Sequence, residues 1–183
     1  IIHDCLNNFF KQGVDKIVIV DNGSEDATKA ICLSFGEKVV WREHQSEGFN
    51  FRELRKILQE EIEQIDPLWV VIGNADEICF SDEKYMSLRE QVLEAEGSGC
   101  NVLNYNYRVF AMADDWKNEK RYCSTGMSEF RIGRWRDITN IYMDPGIDKI
   151  FGNKEMHYFA TPFIIHHYKY RGIQKTQDKF RDY

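Results

Sequence analysis

Apolar residues recur through roughly the first 110 residues with a period that switches between that of a helix and that of a strand. Four short runs predict strands, at residues 16–20, 39–41, 68–72 and 101–110. Helical spacing of the apolar residues before and between them predicts four helices: one that ends at Gly13, one from Ser24 to about Ser34, one from Asn50 to just before Pro67, and one over residues 82–96.

This alternation of helices and strands predicts an α/β fold, with a mostly parallel sheet and helices on both of its faces. After Phe110 the periodicity loosens, and only residues 161–170 predict a further strand, followed by a basic helix. Because we find no internal repeat and no low-complexity segment, we expect a single domain over residues 1–183. The apolar helical pattern is already present at Ile1 with no capping residue before it, so we also expect this domain to be N-terminally incomplete.

The composition is that of an ordinary globular domain, and it narrows the range of partners. Hydrophobic residues make up 43% of the chain, charged residues make up 30%, and the net charge is -6. An acidic chain offers no general basic surface, so we expect no nucleic-acid partner. No apolar run approaches the roughly 18 residues of a transmembrane segment. The five cysteines are odd in number and widely spaced, which is typical of reduced thiols and favours a cytoplasmic location.

Two polar clusters directly follow predicted strands: DNGSED at residues 21–26 and NADE at residues 74–77. In open α/β sheets, ligands bind beyond the carboxyl ends of the strands, and we expect both clusters to lie at that edge. Burying a carboxylate there costs several kcal/mol unless it has a partner, and a metal ion is one such partner. The alternative interpretations are an ordinary capped turn for DNGSED and a turn with solvated acids for NADE.

These clusters and the C-terminal segment resemble motifs of a known enzyme family. VDNGSEDAT after one strand, WVVIGNADEI after another and the closing IIHHYKYRGIQKTQDKF are similar to segments of the family-2-like glycosyltransferases with the GT-A fold. This branch of the family commonly carries Asp-Ala-Asp-Glu at a strand end and closes its catalytic domain with a His-Tyr and basic segment. The resemblance covers roughly residues 1–179 and is strongest at residues 17–28 and 68–80.

The resemblance implies the GT-A fold, a Rossmann-like mixed sheet flanked by helices, and a metal-assisted glycosyltransferase activity. The implied donor is a UDP- or GDP-linked sugar, and the implied acceptor is a glycan or a lipid-linked saccharide in polysaccharide biosynthesis. The family also has a first strand ahead of the opening helix that helps to hold the base. The sequence has no counterpart of that strand.

The matched motifs imply roles for individual residues. Asp76 is implied as a ligand of a Mn²⁺ or Mg²⁺ ion, His167 completes the metal site, and Asn74 faces the ribose or the metal. Asn74 departs from the family pattern, because it stands where an Asp is usual and brings no charge. Asp21 is implied as a contact to the nucleoside. The other expected contacts to the nucleotide and its phosphates are Asn22, Gly23, Ser24, Asn50 and Arg171, with Lys179 as an alternative to Arg171.

An inverting reaction needs a carboxylate that deprotonates the acceptor hydroxyl. Asp144, in a predicted turn before Pro145 and Gly146, is the favoured candidate, and the alternatives are Asp114, Asp115, Asp137 and Asp148. Four aromatic residues are candidates for stacking on a sugar ring: Tyr105, Tyr107, Trp116 and Trp135.

The sequence leaves two other functions open. A sugar-phosphate nucleotidyltransferase would need a Gly-rich phosphate loop with Arg or Lys after the first strand, and the segment DNGSEDAT contains neither residue. A non-catalytic domain that binds a nucleotide-sugar or a glycan on the same frame is compatible with the uncharged Asn74.

Overall fold

The computed structural model describes residues 1–45, 50–80, 87–112, 120–144, 147–152 and 154–171. For residues 51, 79, 80, 106–112, 120–130, 139–144, 147–151, 162, 163 and 166–171 the description extends to the backbone only. The helices are α1 (Ile2–Lys11), α2 (Thr28–Leu33), α3 (Phe51–Ile65) and α4 (Leu88–Gly97). The strands are β1 (Ile17–Asp21), β2 (Val39–Glu43), β3 (Trp69–Val71), β4 (Glu77–Phe80), β5 (Val102–Met112), β6 (Lys120–Arg134), β7 (Ile138–Asp144), β8 (Ile147–Gly152) and β9 (Tyr158–Arg171).

The strands form three sheets within the described part of the chain. β1 and β2 pair in parallel, with Ile17 opposite Val39, and β7 and β8 form an antiparallel pair. A five-stranded sheet has the order β3-β6-β5-β9-β4, in which β5 and β9 are parallel and the other pairs are antiparallel. The fold is therefore mixed α/β, but the prediction of a mostly parallel sheet is wrong.

The directions of the β1–β2 and β5–β6 pairings agree with the lengths of their connections. A parallel pair needs a crossover of about a dozen residues or more, usually with a helix, whereas an antiparallel pair can be joined by a short turn. α2 lies between β1 and β2, which are parallel. Only residues 113–119 join β5 to β6, and these two strands are antiparallel.

The long helix α3 confirms the sequence prediction at both ends. The side-chain Oδ1 of Asn50 accepts hydrogen bonds from the backbone N–H of Arg52 at 3.1 Å and of Glu53 at 3.4 Å. A cap of this kind satisfies N–H groups that have no partner within the helix. The helix ends at Ile65, after which Asp66 adopts a left-handed conformation with φ 44° and Pro67 prevents continuation.

Other predicted boundaries differ from those observed. α2 begins at Thr28 rather than Ser24, which forms hydrogen bonds to Asp21 instead of capping a helix. α4 begins at Leu88, after a capping box of Ser87 and Glu90. The helix was predicted over residues 82–96, and residues 82–86 of it lie outside the described residues. The strand β9 confirms the predicted final strand, whereas β4, β6, β7 and β8 were not predicted. The basic helix predicted to follow β9 lies outside the described residues.

Helix α1 packs against two of the sheets. Its residues Cys5 and Phe9 belong to the same buried cluster as Leu103 of β5. Leu6, on the neighbouring part of the helix, belongs to a second buried cluster with Val39 of β2. The apolar residues of α1 therefore hold the β1–β2 pair and the five-stranded sheet together.

A cavity of about 580 Å³ is lined by residues of β1, β3, α1 and α3. The lining is largely apolar and includes Val18 of β1, Val70 of β3, Phe9 of α1 and Ile62 of α3. Among the described strands, β1 pairs with β2 and β3 pairs with β6, so the two strands that line this cavity do not pair with each other. No described helix has both the length and the apolar character that crossing a membrane requires.

Candidate functional site

The segment Asn74-Ala75-Asp76 forms a tight turn between β3 and β4. The backbone N–H of Ile72 donates to the carbonyl oxygen of Arg131 at 2.9 Å, so the chain is still held by β6 just before the turn. The N–H of Glu77 then donates to the carbonyl oxygen of Asn74 at 3.0 Å and closes it. The turn leads into β4, whose first residue is Glu77, and this strand was not predicted from the sequence.

Gly73 allows this turn to lie close against α1. A Cβ atom at residue 73 would lie 3.2 Å from Cζ of Phe9 and 3.5 Å from Oε2 of Glu77. The first of these distances is shorter than an ordinary carbon–carbon contact of about 3.5–4.0 Å. A side chain at this position would therefore push the turn away from the helix.

Glu77 forms a buried ion pair with Arg131 of β6. The exposed fraction of the side chain is 0% for Glu77 and 1% for Arg131. Nη1 of Arg131 lies 3.0 Å from Oε1 and 3.1 Å from Oε2 of Glu77, and Nη2 lies 3.1 Å from Oε1. Nε of Arg131 donates to the hydroxyl oxygen of Tyr105 on β5 at 3.1 Å. The Glu77 carboxylate is thus engaged by a guanidinium in a geometry that such pairs favour.

The same carboxylate also holds Asn74. The backbone N–H of Asn74 donates to Oε2 of Glu77 at 3.1 Å, and Nδ2 of its side chain donates to Oε1 at 2.8 Å. Glu77 therefore links the turn to β6 and, through Arg131, to β5. Arg131 was not among the candidate residues predicted from the sequence. Its one sequence signal is a charged residue between two apolar residues, Phe130 and Ile132.

Asp76 is the other carboxylate of the turn, and it is buried with 7% of its surface exposed. The thiol of Cys5 lies close by, with Sγ 3.8 Å from the carbonyl oxygen of Asn74. Burial raises the pKa of Cys5 to about 12, and the negative charges of Glu77 and Asp76 add to this effect. Cys5 is therefore a protonated thiol near neutral pH, and a protonated thiol is a poor nucleophile.

The carboxylate of Asp21 is turned into its own loop. It accepts hydrogen bonds from the N–H of Gly23 at 3.1 Å, from the N–H of Ser24 at 2.8 Å and from the Ser24 hydroxyl. Gly23 has φ 91°, a conformation that L side chains rarely adopt. The prediction that Ser24 caps the next helix is wrong, because its N–H and hydroxyl are engaged by Asp21. Contacts of Asp21, Asn22, Gly23 and Ser24 to a nucleotide stay predictions.

For four further predicted site residues the structure gives the position in the fold but no contact that bears on the predicted role. Asn50 is the cap of α3, and its contact to a nucleotide stays a prediction. His167 of β9 lies opposite Glu77 in the strand register, one residue beyond Asp76. Arg171 lies opposite Met112 at the end of β9, and Asp144 lies opposite Ile147 at the end of β7. For His167, Arg171 and Asp144 the structure describes the backbone but not the side chain. Four other candidates lie wholly outside the described residues: Asp114, Asp115, Trp116 and Lys179.

Two of the alternative candidates have structural partners in the interior. Tyr105 is 1% exposed and accepts a hydrogen bond from Arg131, so a sugar cannot stack on its ring in this structure. Asp137 is buried and accepts hydrogen bonds from Lys154 at 2.7 Å, Arg134 at 2.7 Å and Asn101 at 3.3 Å. The hydrogen bond from Lys154, followed by those from Arg134 and Asn101, lowers the pKa of Asp137 to about 2. A carboxylate whose pKa is this low is a poor general base near neutral pH.

A metal site built from three or more His, Cys, Asp or Glu side chains is not found among the residues that the structure describes. The turn nevertheless combines one buried carboxylate with an amide oxygen, and these are donors that Mn²⁺ and Mg²⁺ accept. No family model matches the chain, and no curated protein matches it significantly.

Proposed function

We propose that this protein is a glycosyltransferase that uses a UDP- or GDP-linked sugar and a divalent cation. The observation that carries the proposal is the buried Asn74–Asp76 turn, in which the neighbouring Glu77 is committed to Arg131. A buried carboxylate and an amide in the same turn offer oxygen donors of the kind that Mn²⁺ and Mg²⁺ prefer. The resemblance of both polar clusters to a glycosyltransferase family supports the same function.

Asp76 and His167 would hold a Mn²⁺ or Mg²⁺ ion, together with oxygens of the donor diphosphate. A bound cation of this kind neutralises the charge that develops on the departing diphosphate. In the strand register His167 lies opposite Glu77, so its backbone is one position away from Asp76.

We assign the remaining roles to residues in other parts of the chain. Asp21 contacts the nucleoside, Asn74 contacts the ribose, and Arg171 lies near the diphosphate. Asp144 is the proposed general base that deprotonates the acceptor hydroxyl of a glycan or a lipid-linked saccharide. The further proposed nucleotide contacts are Asn22, Gly23, Ser24 and Asn50. We place this reaction in the cytoplasm, on the basis of the cysteine usage.

The proposed fold is the GT-A fold, which would have one more strand ahead of α1. Strands that follow each other along the chain usually lie side by side in a sheet, so we expect a strand ahead of α1 beside β1. The apolar cavity of about 580 Å³, which β1 and β3 both line, offers room at that position. The cavity is therefore compatible with the proposed fold.

The experiment is a calorimetric titration of UDP and GDP, each with and without Mn²⁺. Wild type is compared with Asp76→Ala and with Asp66→Asn as a control. Asp66 precedes β3 and its exposed carboxylate contacts Arg136, and Asn tolerates the left-handed backbone of this residue. We expect binding of one nucleotide that needs the metal and that Asp76→Ala weakens at least about tenfold. If wild type binds neither UDP nor GDP, the proposal is contradicted.

One alternative is favoured by a specific residue. Asn74 supplies an amide where the family usually has a carboxylate, and its amide nitrogen is held by Glu77. A non-catalytic domain that binds a nucleotide-sugar or a glycan is consistent with such a substitution. That alternative predicts binding that does not depend on Mn²⁺ and no transfer or hydrolysis of the donor.

A further inference from the structure

The buried pair of Arg131 and Glu77 connects the turn to the centre of the five-stranded sheet. Arg131 lies on β6, Glu77 begins β4, and Tyr105 on β5 accepts from Nε of Arg131. In the strand order, β4 and β6 are separated by β9 and β5. The guanidinium therefore joins strands that are not neighbours, and it does so where the chain reverses direction.

Fold stability alone does not require such a pair. Burying two charges carries a large desolvation cost, and replacing a buried ion pair by apolar residues of similar volume is often neutral or stabilising. The pair has a definite local effect, however. Two hydrogen bonds that Asn74 donates, from its N–H and from its Nδ2, end on Glu77, and the Glu77 oxygens are fixed by Arg131.

We propose that Arg131 is a positioning residue for the Asn74–Asp76 turn and acts through Glu77 without touching the donor. Its positive charge balances Glu77, so that Asp76 next in sequence does not face an uncompensated carboxylate. Its bidentate contact fixes the side-chain conformation of Glu77, which in turn fixes the backbone and the amide of Asn74. The identity of the ligand that the turn binds rests on the proposed function, whereas the positioning of the turn by Arg131 does not.

The test uses a double variant, Glu77→Leu/Arg131→Met, which removes both charges and leaves apolar side chains of similar length. The matched control is Arg42→Met/Glu61→Leu. That ion pair joins β2 to α3, and Nη2 of Arg42 lies 2.9 Å from Oε2 of Glu61. Amide hydrogen exchange over residues 72–78, the melting temperature, and Mn²⁺-dependent UDP binding are measured for wild type and both variants.

We expect the Glu77→Leu/Arg131→Met protein to melt within a few degrees of wild type. Exchange over residues 72–78 should nevertheless rise at least about tenfold, and nucleotide affinity in Mn²⁺ should fall about 10- to 100-fold, the range for residues that support metal ligands. The control pair should leave exchange in this segment and nucleotide affinity at wild-type values. A folded double variant with unchanged exchange over residues 72–78 would overturn the proposal.

Two further variants keep the proposal testable if the double variant does not fold. Tyr105→Phe removes only the hydroxyl that accepts from Nε of Arg131. Arg131→Lys keeps the charge but loses the planar fork that contacts both oxygens. Both should raise exchange over residues 72–78, and unchanged exchange in both would overturn the proposal. If wild type binds neither nucleotide, the proposed function fails, while the exchange data still decide whether Arg131 positions the turn.

Discussion

Asp76 and Asp137 are both buried aspartates, but their surroundings differ. Asp137 accepts hydrogen bonds from Lys154, Arg134 and Asn101, which is the pattern of a structural carboxylate. Asp76 lies in a turn beside Glu77, whose own charge is balanced by Arg131. Residue type and spacing do not reveal these surroundings, because Lys154 is 17 positions from Asp137 and Arg131 is 54 positions from Glu77 along the chain.

Asp137 should make stability depend on pH in the acid range. The pKa in the folded state, about 2, lies below the usual 3.8, so its stabilising contribution is complete above about pH 4 and is lost as pH falls towards 2. We expect Asp137→Asn to lower the free energy of unfolding by about 2 kcal/mol near pH 7. The difference from wild type should shrink on acidification.

Urea denaturation at several pH values between about 7 and 2.5 measures this effect. Asp4→Asn, an exposed aspartate on α1, is the matched control and should follow wild type at every pH. If wild type and Asp137→Asn lose stability in parallel as pH falls, the ionised Asp137 does not stabilise the fold.

At the scale of elements, the sequence predicted what depends on neighbouring residues. The helix α3 was predicted with its cap, because Asn50 and the helical spacing after it are local signals. The helix over DNGSEDAT was placed too early, because Asp21 binds the N–H groups of Gly23 and Ser24. The antiparallel pairing of β5 and β6 was missed because it depends on contacts between distant positions, which no periodicity records.

The end of α1 gives an element-scale prediction. Gly13 has φ 90°, and a Cβ atom there would lie 2.6 Å from Cβ of Arg89. Gly13→Ala would thus introduce both backbone strain and a clash with α4, and we expect it to lower the free energy of unfolding by about 2 kcal/mol or more. Thermal or urea denaturation measures the change.

Gly97 provides the matched control for that substitution. It is the last residue of α4, and a Cβ atom there would meet no atom within 4 Å. Gly97→Ala should leave stability unchanged or raise it by up to about 1 kcal/mol, because alanine favours the helix. Equal destabilisation by the two substitutions would contradict a specific role of Gly13 at the junction of α1 and α4.

At the scale of the whole molecule, the mixed α/β class was predicted, but the arrangement of its sheets was not. The polar turn 73–77 and the strand that carries His167 were identified from the sequence, and the register brings them together. The bridging role of α1 and the apolar cavity beside β1 were not predictable, because they depend on how separate sheets pack. The direct roles of the site residues stay predictions.

The proposed fold makes a prediction about this cavity. Fusing a short apolar, β-branched strand and a flexible linker ahead of Ile1 should fill the space lined by β1 and β3. Burial of its side chains should stabilise the protein by at least about 1 kcal/mol, which corresponds to a rise of about 2–4 °C in melting temperature. An added segment of equal length made of Gly and Ser should have no such effect. Equal melting temperatures for the two fusions would contradict the proposed strand position.

The central claim is that Asp76 holds a divalent cation together with a nucleotide diphosphate. The most direct measurement is an electron paramagnetic resonance titration of Mn²⁺ in the presence of UDP or GDP, which follows the loss of the free-ion signal. Wild type is compared with Asp76→Asn and with Asp66→Asn, because Asn tolerates the left-handed backbone of residue 66 and makes the same chemical change.

The account predicts that wild type and Asp66→Asn bind Mn²⁺ with one of the nucleotides equally well. Asp76→Asn should bind at least about tenfold more weakly, because the amide brings no charge to the metal. Equal Mn²⁺ binding by wild type and Asp76→Asn would contradict the account, and so would the absence of nucleotide-dependent Mn²⁺ binding in wild type.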